Sequence, residues 1–384
     1  MSDRFDALDH DLARACEEEV TLGAHRVRAI GAAACAVVRA SEGSLASFAH
    51  GSIPTSGAID DACRFDVASV TKVVATTLAI GLLVRDRALA LDDRVADHLP
   101  GFDASGKGAV TVRELLGHRS GLRAWQPFFL TCNSREDVLD AVLASPLAHA
   151  PGTRVYSDLG FLALGALVEA LRGRPLDRVL SDEIVAPLGL ESSELGYLRR
   201  SAPPPWRRTA VIAPTGRTRP REPAPGQESL YAPPDHEALV AGEVDDDNAF
   251  VMDGVAGHAG VFATARTLAA LGARILEELD GADRLGLTEV LREFASLDPA
   301  DGPPRGLGFD MPSGVSSSVG HSFGRGPLGA IGHLGFTGCS LWLDRDRGLS
   351  VALLTNRTFA GRASVAPIRA LRPRVHDLVA LAVD

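Results

Sequence analysis

The sequence predicts an α+β fold made of two units, and three observations carry that prediction. Runs suited to β-strands gather at the two ends of the chain. "IGAAACAVVRA" (30–40), the turn "EGS" and "LASFAHGS" (45–52) read as a hairpin, and "GCSLWLDRDRGLSVALLTN" (338–356) reads as two strands joined at "DRDRG". Helical patterns flank these runs at residues 3–20 and 364–383. Between the ends the pattern is mostly helical. The terminal strands are therefore expected to form one antiparallel sheet, with the terminal helices on one face and a helical domain inserted between them. This divides the chain into a discontinuous α/β domain, 1–64 with 300–384, and a mainly helical domain, 65–299.

The middle elements follow in order. "SVTKVVATTLAIGLLVRD" (69–86) is long, apolar and free of proline, which predicts a buried helix. "VTVRELLGHRSGL" (110–122) is a short helix ended by Gly121, and "SREDVLDAVLAS" (134–145) is another. "PGTRVYSDLGFLALGALVEALRG" (151–173) is a turn leading into a helix that starts near Ser157, and 175–190 continues the series. Residues 201–250 open with a proline- and arginine-rich stretch of little periodicity, an irregular excursion. "TARTLAALGARILEELD" (264–280) is helical again.

Composition narrows the function. The 384 residues are 46% hydrophobic, ample for a packed core, and the formal net charge is −10. An acidic chain without a basic block argues against nucleic-acid partners and anionic membrane surfaces. No uninterrupted apolar run reaches 18 residues, so no transmembrane helix is expected. The N-terminus lacks the basic start and apolar core of a secretory signal, which leads to an expectation of a cytoplasmic protein. Five scattered cysteines without metal-ligand spacing lead to the expectation of reduced thiols, no metal and no cofactor. The expected partner is a small molecule.

Of 39 basic residues, only Lys72 and Lys107 are lysines. Arginine does not accept a proton near neutral pH, whereas a buried lysine can, so these two choices call for a reason. In "FDVASVTKV" (65–73), Ser69 and Lys72 are three apart and share one face of a helix. The helix N-terminus favours an alkoxide at Ser69, and a desolvated amine can take its proton. An N-cap serine and a solvated lysine would read the same way, although a lone charge inside an apolar helix is expensive. "YSD" (Tyr156 to Asp158) follows a turn at a helix start, where Tyr156 would pack and Asp158 would cap. "GHLGFTG" (332–338) sets His333 at a strand entry whose glycines permit close backbone approach. His258 in "GHAG" is a candidate for a pocket wall, with packing the simpler role. "VDDDNA" (244–249) lacks calcium-loop spacing and reads as a solvated loop.

These motifs occur together, in this order. The chain thereby resembles the serine β-lactamase and penicillin-binding-protein superfamily, within it class C β-lactamases, D-alanyl-D-alanine carboxypeptidases and family VIII esterases. That pattern is S-x-x-K, then Y-x-N, then K-T-G or H-x-G. "VTVRELLGHRSGL", "GVAGHAGVFATARTLAALG" (254–272) and the C-terminal hairpin extend the likeness over roughly residues 30–380. It implies a five-stranded-type antiparallel sheet flanked by terminal helices, and a hydrolase acylated on Ser69. Lys72 would hold or accept the proton and Tyr156 would be the partner base. The N–H groups of Ser69 and Phe336 would form the oxyanion hole. Asp158, His333, Gly335 and His258 would shape substrate binding.

Two departures matter. Asp158 replaces an asparagine, losing a donor, and can instead pair with Lys72 and leave base duty to Tyr156. His333-Leu334-Gly335 replaces K-T-G, removing a fixed cation and a hydroxyl. Both changes argue for an ester or small amide substrate and poor β-lactam hydrolysis. Acyl transfer from the same acyl-enzyme, or a catalytically weak sensing role, are the alternatives.

Overall fold

The structure, a computed structural model, describes residues 3–22, 25–54, 57–216, 240–299, 301–314 and 317–384. The centre of the proline- and arginine-rich excursion, 217–239, lies outside the described residues.

A helix at Asp6–Glu17 leads into a short antiparallel ribbon, β1 (Glu19–Leu22) with β2 (His25–Arg28). The main sheet takes β3 (Ala32–Arg39), β4 (Gly43–Ile53) and β5 (Gly57–Ala58) from the start of the chain. A smaller sheet joins β6 (Phe65–Asp66), β7 (Leu195–Tyr197) and β8 (Val261–Ala263) from the middle. The end of the chain supplies β9 (Ala330–Leu334), β10 (Ser340–Asp344) and β11 (Leu349–Thr355) to the main sheet. The main sheet runs β5-β4-β3-β11-β10-β9, with every pairing antiparallel. It is thus five long strands with the two-residue β5 added at one edge. Register pairs Val37 with Val351 across the centre, so the first hairpin and the last are hydrogen-bonded neighbours.

Both faces of the sheet are covered, which is why β3 reads as an unbroken apolar run rather than an alternating one. Ala33, Cys35 and Val37, with Leu349, Val351 and Leu353, pack against Leu8 and Leu12 of the first helix and Leu371, Val375 and Val379 of the last helix, Ala366–Val383. Ala32, Ala34 and Ala36 turn to the opposite face with Ala352 and Leu354. There the helix Ala265–Leu279 lies on the sheet. A Cβ on its Gly272 would fall 2.6 Å from Leu343 and 2.2 Å from Ser350 Oγ, so glycine permits this approach. The sequence reading groups this helix with the helical domain; the structure lays it on the sheet. A helix at Thr288–Phe294 packs beside it, and no sequence signal singled that helix out.

The helical expectations otherwise match closely. Helices occupy Val112–Leu116, Arg135–Ala144 and Asp158–Arg172, then Leu176–Val185 with a widened second half. The first stops at Gly117 rather than Gly121. Ser157 is the N-cap of the third, accepting from the Gly160 N–H, so Asp158 is its first helical residue and not its cap. The segment Ala68–Arg85 is helical throughout and has the length and hydropathy of a membrane span, mean hydropathy 1.5, yet 83% of it is buried inside the fold. It is a core helix.

Candidate active site

The nucleophile candidate sits where both sheets meet. β6 ends at Asp66, whose side chain accepts from the Ala68 N–H at 2.8 Å and from the Asp245 N–H at 2.6 Å. Ala68 takes a positive φ of 47°, which is uncommon for a residue with a Cβ and marks a sharp turn. A single 3₁₀ turn, Ala68–Val70, then presents Ser69 half-buried at the cleft. The helix widens to π-helical geometry over Lys72–Thr77, a feature that often marks functional sites.

Lys72 is fully buried. Its ammonium has three N–H donors, and each finds an acceptor: Ser69 Oγ at 2.9 Å, Asp158 Oδ1 at 2.7 Å and the His258 carbonyl at 3.4 Å. Burial pushes its pKa down, but the Asp158 charge, the Tyr156 oxygen and their hydrogen bonds outweigh it, and the amine ends above its ordinary value. Lys72 is therefore a cation at neutral pH. Burial also raises the Tyr156 phenol, against the pull of Lys72, so Tyr156 rests neutral. Tyr156 stands beside this pair, with the Lys72 nitrogen 4.8 Å from its ring centroid.

Three more groups frame Tyr156, two of which sequence reasoning missed. The His118 ring lies 4.6 Å from the Tyr156 ring, and its Nδ1 accepts from the Ser157 N–H at 3.0 Å. Burial first, then the cations around it, drives His118 well below the usual histidine range, so it is neutral. The Arg305 guanidinium stands 5.0 Å from the Tyr156 ring centroid and is paired with Asp310. His333 lies on β9 itself, not at a strand entry, with its ring 5.9 Å from that of Tyr156. It is buried, not exposed; burial lowers its pKa to about 4 against the pull of Asp310. Its Nδ1 meets the Leu334 carbonyl at 2.7 Å, which leaves Nε2 as the lone-pair nitrogen.

β9 reaches the nucleophile turn through Gly335. A Cβ there would fall 2.4 Å from the Val67 carbonyl oxygen, so only glycine permits the contact. Thr337 Oγ1 donates to the Asp66 carbonyl at 2.7 Å and fastens the same junction. Ser69 and Phe336 both line the cleft as a result, a volume of about 850 Å³ that also takes in Tyr156, Asp158, His258 and His333. Phe336 is 43% exposed at its rim.

His258 is buried, its Nε2 3.0 Å from Asp246. Its carbonyl, not its ring, contacts Lys72. The acidic run is not a solvated loop. Asp245 and Asp247 are buried because Arg362 pairs with both, at 3.3 and 3.1 Å, and Asp246 caps the helix Asp247–Val251. Lys107, the second lysine, is also buried, and its ammonium donates to the carbonyls of Ala104, Leu143 and Ser145 at 2.7 to 2.8 Å. That compact three-donor geometry explains its choice over arginine, with no chemistry implied.

A hydroxyl, an amine and a phenol converge here at the edge of an antiparallel sheet, and the family model for beta-lactamase matches residues 13–372. The chain belongs to the beta-lactamase family. Within its relatives, the N-acetylmuramyl-L-alanine amidase of Bacillus subtilis is 31% identical over 309 residues, covering 76% of this chain and 68% of the relative. A penicillin-binding-protein homologue from Caulobacter crescentus superposes with a TM-score of 0.71 at 20% identity, covering 98% of each chain. EstCE1, a hydrolase with promiscuous acyltransferase activity, superposes at 0.67 with 20% identity, covering 96% of this chain and 97% of that one. These two likenesses establish the shared α+β fold. The chain is a hydrolase of the beta-lactamase and penicillin-binding-protein kind.

Proposed function

We propose that this family member is a serine hydrolase that forms an acyl-enzyme on Ser69 and acts on esters or small amides. The observation that carries the reading is the engagement of the buried Lys72, with Ser69 Oγ at 2.9 Å, Asp158 at 2.7 Å and the Tyr156 ring centroid 4.8 Å from its nitrogen. An ammonium held this way donates and cannot accept. Base duty then falls to Tyr156, ionised in a minor fraction of molecules and steadied by Lys72. Ser69 Oγ attacks the acyl carbon and Tyr156 takes its proton. The carbonyl oxygen draws charge toward the N–H groups of Ser69 and Phe336, the kind of donors that usually form the largest catalytic term. Tyr156 passes the proton to the departing alcohol or amine, leaving the acyl group on Ser69. Water then attacks that ester, with Tyr156 again accepting a proton, and Ser69 is released.

Substrate class follows from what the cleft lacks. Asp158 does not donate, His333 is neutral and Leu334 has no hydroxyl, so the features that would grip a β-lactam are missing. The amidase relative favours a carboxamide as the natural linkage. A panel of p-nitrophenyl esters, D-amino-acid p-nitroanilides and nitrocefin, run on wild type and Ser69→Ala, tests this. Turnover of esters or anilides that Ser69→Ala abolishes supports the proposal. Turnover that survives Ser69→Ala, or nitrocefin as the best substrate by far, contradicts it.

A further inference from the structure

A turn outside the three motifs brings two charged side chains to the cleft. It is pinned at both ends. The Asp298 N–H donates to the Arg305 carbonyl at 2.8 Å, and Arg154 donates to the carbonyls of Asp298 and Pro303 at 2.8 and 3.0 Å. At the other end Asp310 and Gly332 of β9 exchange both backbone hydrogen bonds, at 2.7 and 3.0 Å. Between them Gly308 takes a φ of 80°, and a Cβ there would fall 2.1 Å from Thr77 Oγ1. The backbone therefore fixes where Arg305 and Asp310 stand relative to His333 on β9.

The Asp310 carboxylate lies between two basic groups. It is paired with Arg305, and its Oδ1 is 3.8 Å from His333 Nε2, too far for a hydrogen bond. All three side chains line the cleft beside Tyr156. His333 is 2% exposed, and its Nδ1–H is spent on the Leu334 carbonyl. Its Nε2 is thus a buried lone pair, and among the described residues it has no hydrogen-bond partner. The other charged and titratable groups around this ring are Lys72 with its partner Asp158, the Tyr156 phenol and the neutral His118. Arg372 of the last helix feels the Asp310 charge as well. Lys72 and Arg305 push His333 toward its neutral form, and Asp310 is the acid that pulls the other way. A small swing of that carboxylate would close the 3.8 Å gap and favour an imidazolium. Arg305 opposes the swing, because a guanidinium keeps its proton and its pairing geometry at every working pH.

We infer that Arg305 is a positioning residue: by holding Asp310 it withholds that carboxylate from His333, and so keeps His333 Nε2 in the cleft as a hydrogen-bond acceptor. The group that meets Nε2 is then a donor, an amide N–H of the substrate or the attacking water, and not a carbonyl oxygen. This use rests on the Ser69 hydrolase reading; the sharing of Asp310 does not.

NMR titration of the full-length protein, labelled at the histidine ring nitrogens, tests the inference, with the His333 signal assigned by its loss in His333→Gln. In wild type, His333 should titrate at about 4. Arg305→Gln frees Asp310 and should raise that midpoint by about two pH units. Arg305→Lys keeps the charge and should hold the midpoint near wild type. Arg305→Gln/Asp310→Asn should bring it back to the wild-type value or below, a rescue that a merely structural role for Arg305 would not produce. With a p-nitrophenyl ester, the pH profile of kcat/KM for Arg305→Gln should gain an inflection at the raised midpoint, absent from wild type. A wild-type midpoint at the ordinary histidine value overturns the inference. So does a midpoint that Arg305→Gln leaves in place, or a rise that Asp310→Asn does not reverse. If Arg305→Gln does not fold, Asp310→Asn alone decides: the midpoint should fall, and an unchanged or higher value overturns the inference. Titrations that behave as expected in a protein that never acylates Ser69 would overturn the hydrolase reading and leave the sharing of Asp310 standing.

Discussion

Replacing Asp158 by asparagine puts the electrostatic account of the site under direct strain. In the native protein the Lys72 amine is held above its ordinary value, because Asp158 at 2.7 Å outweighs complete burial. A folded-state value above the unfolded one means the pair stabilises the fold below the unfolded amine's value, and that contribution fades as pH rises through the folded value. In Asp158→Asn burial remains and the charge is gone. The folded chain then binds the proton less tightly than the unfolded chain, so stability is lost as pH falls. Breaking a buried pair costs about 3–5 kcal/mol while the orphaned group stays charged. Asparagine keeps one hydrogen bond to the amine, which places the loss near the lower figure, about 3 kcal/mol at pH 6. Above the depressed folded value and below the unfolded one, up to about 1.4 kcal/mol returns per pH unit. Urea unfolding of both proteins at pH 6, 7.5 and 9 reads this out. The gap from wild type should shrink steadily with rising pH. A gap that is equal at all three values, or that widens, refutes the claim that Lys72 is a buried cation held by Asp158.

Other consequences are as specific. Because the Tyr156 phenol is raised, its ionised fraction grows with pH, so log kcat/KM should climb from pH 6 to pH 9 without a neutral plateau; Tyr156→Phe should flatten that profile and lower it by about 10²–10⁴-fold. Lys107→Met strands three buried carbonyl acceptors and should destabilise the fold by about 2–4 kcal/mol in urea, while kcat of the surviving folded protein stays within about twofold. Gly335→Ala drives a methyl to 2.4 Å from the Val67 carbonyl oxygen and should cut kcat/KM by at least about 10²-fold by parting β9 from the Ser69 turn. Near-native activity there would show that the contact does not position the nucleophile.

Much of the site was legible because its parts lie in short motifs. Ser69 and Lys72 announce themselves by spacing within one helix, and the scarcity of lysine sharpens the choice. The asparagine-to-aspartate change at 158 suggested the ion pair with Lys72 that the structure contains. What stayed hidden depends on contacts between distant segments. His118 reaches Tyr156 because a turn at positive φ folds it under the helix N-terminus, and nothing in "GHRSG" encodes that neighbour. Arg305 and Asp310 belong to a stretch without regular periodicity and matter only once β9 lies beside them, Asp310 bridging Gly332. Asp245 and Asp247 look solvated in one dimension, because their partner Arg362 is more than a hundred residues away. The same holds for the helix Ala265–Leu279: its amphipathic pattern declares a helix, but not which of two apolar faces it covers.

The central claim is that Ser69 becomes acylated, and intact-protein mass spectrometry with peptide mapping tests it most directly. After brief exposure of the folded protein to a fluorophosphonate or an activated p-nitrophenyl ester, the account predicts one adduct per chain, mapped to Ser69 and absent from Ser69→Ala. A folded protein that gains no adduct, or that carries it on any other residue, contradicts the account.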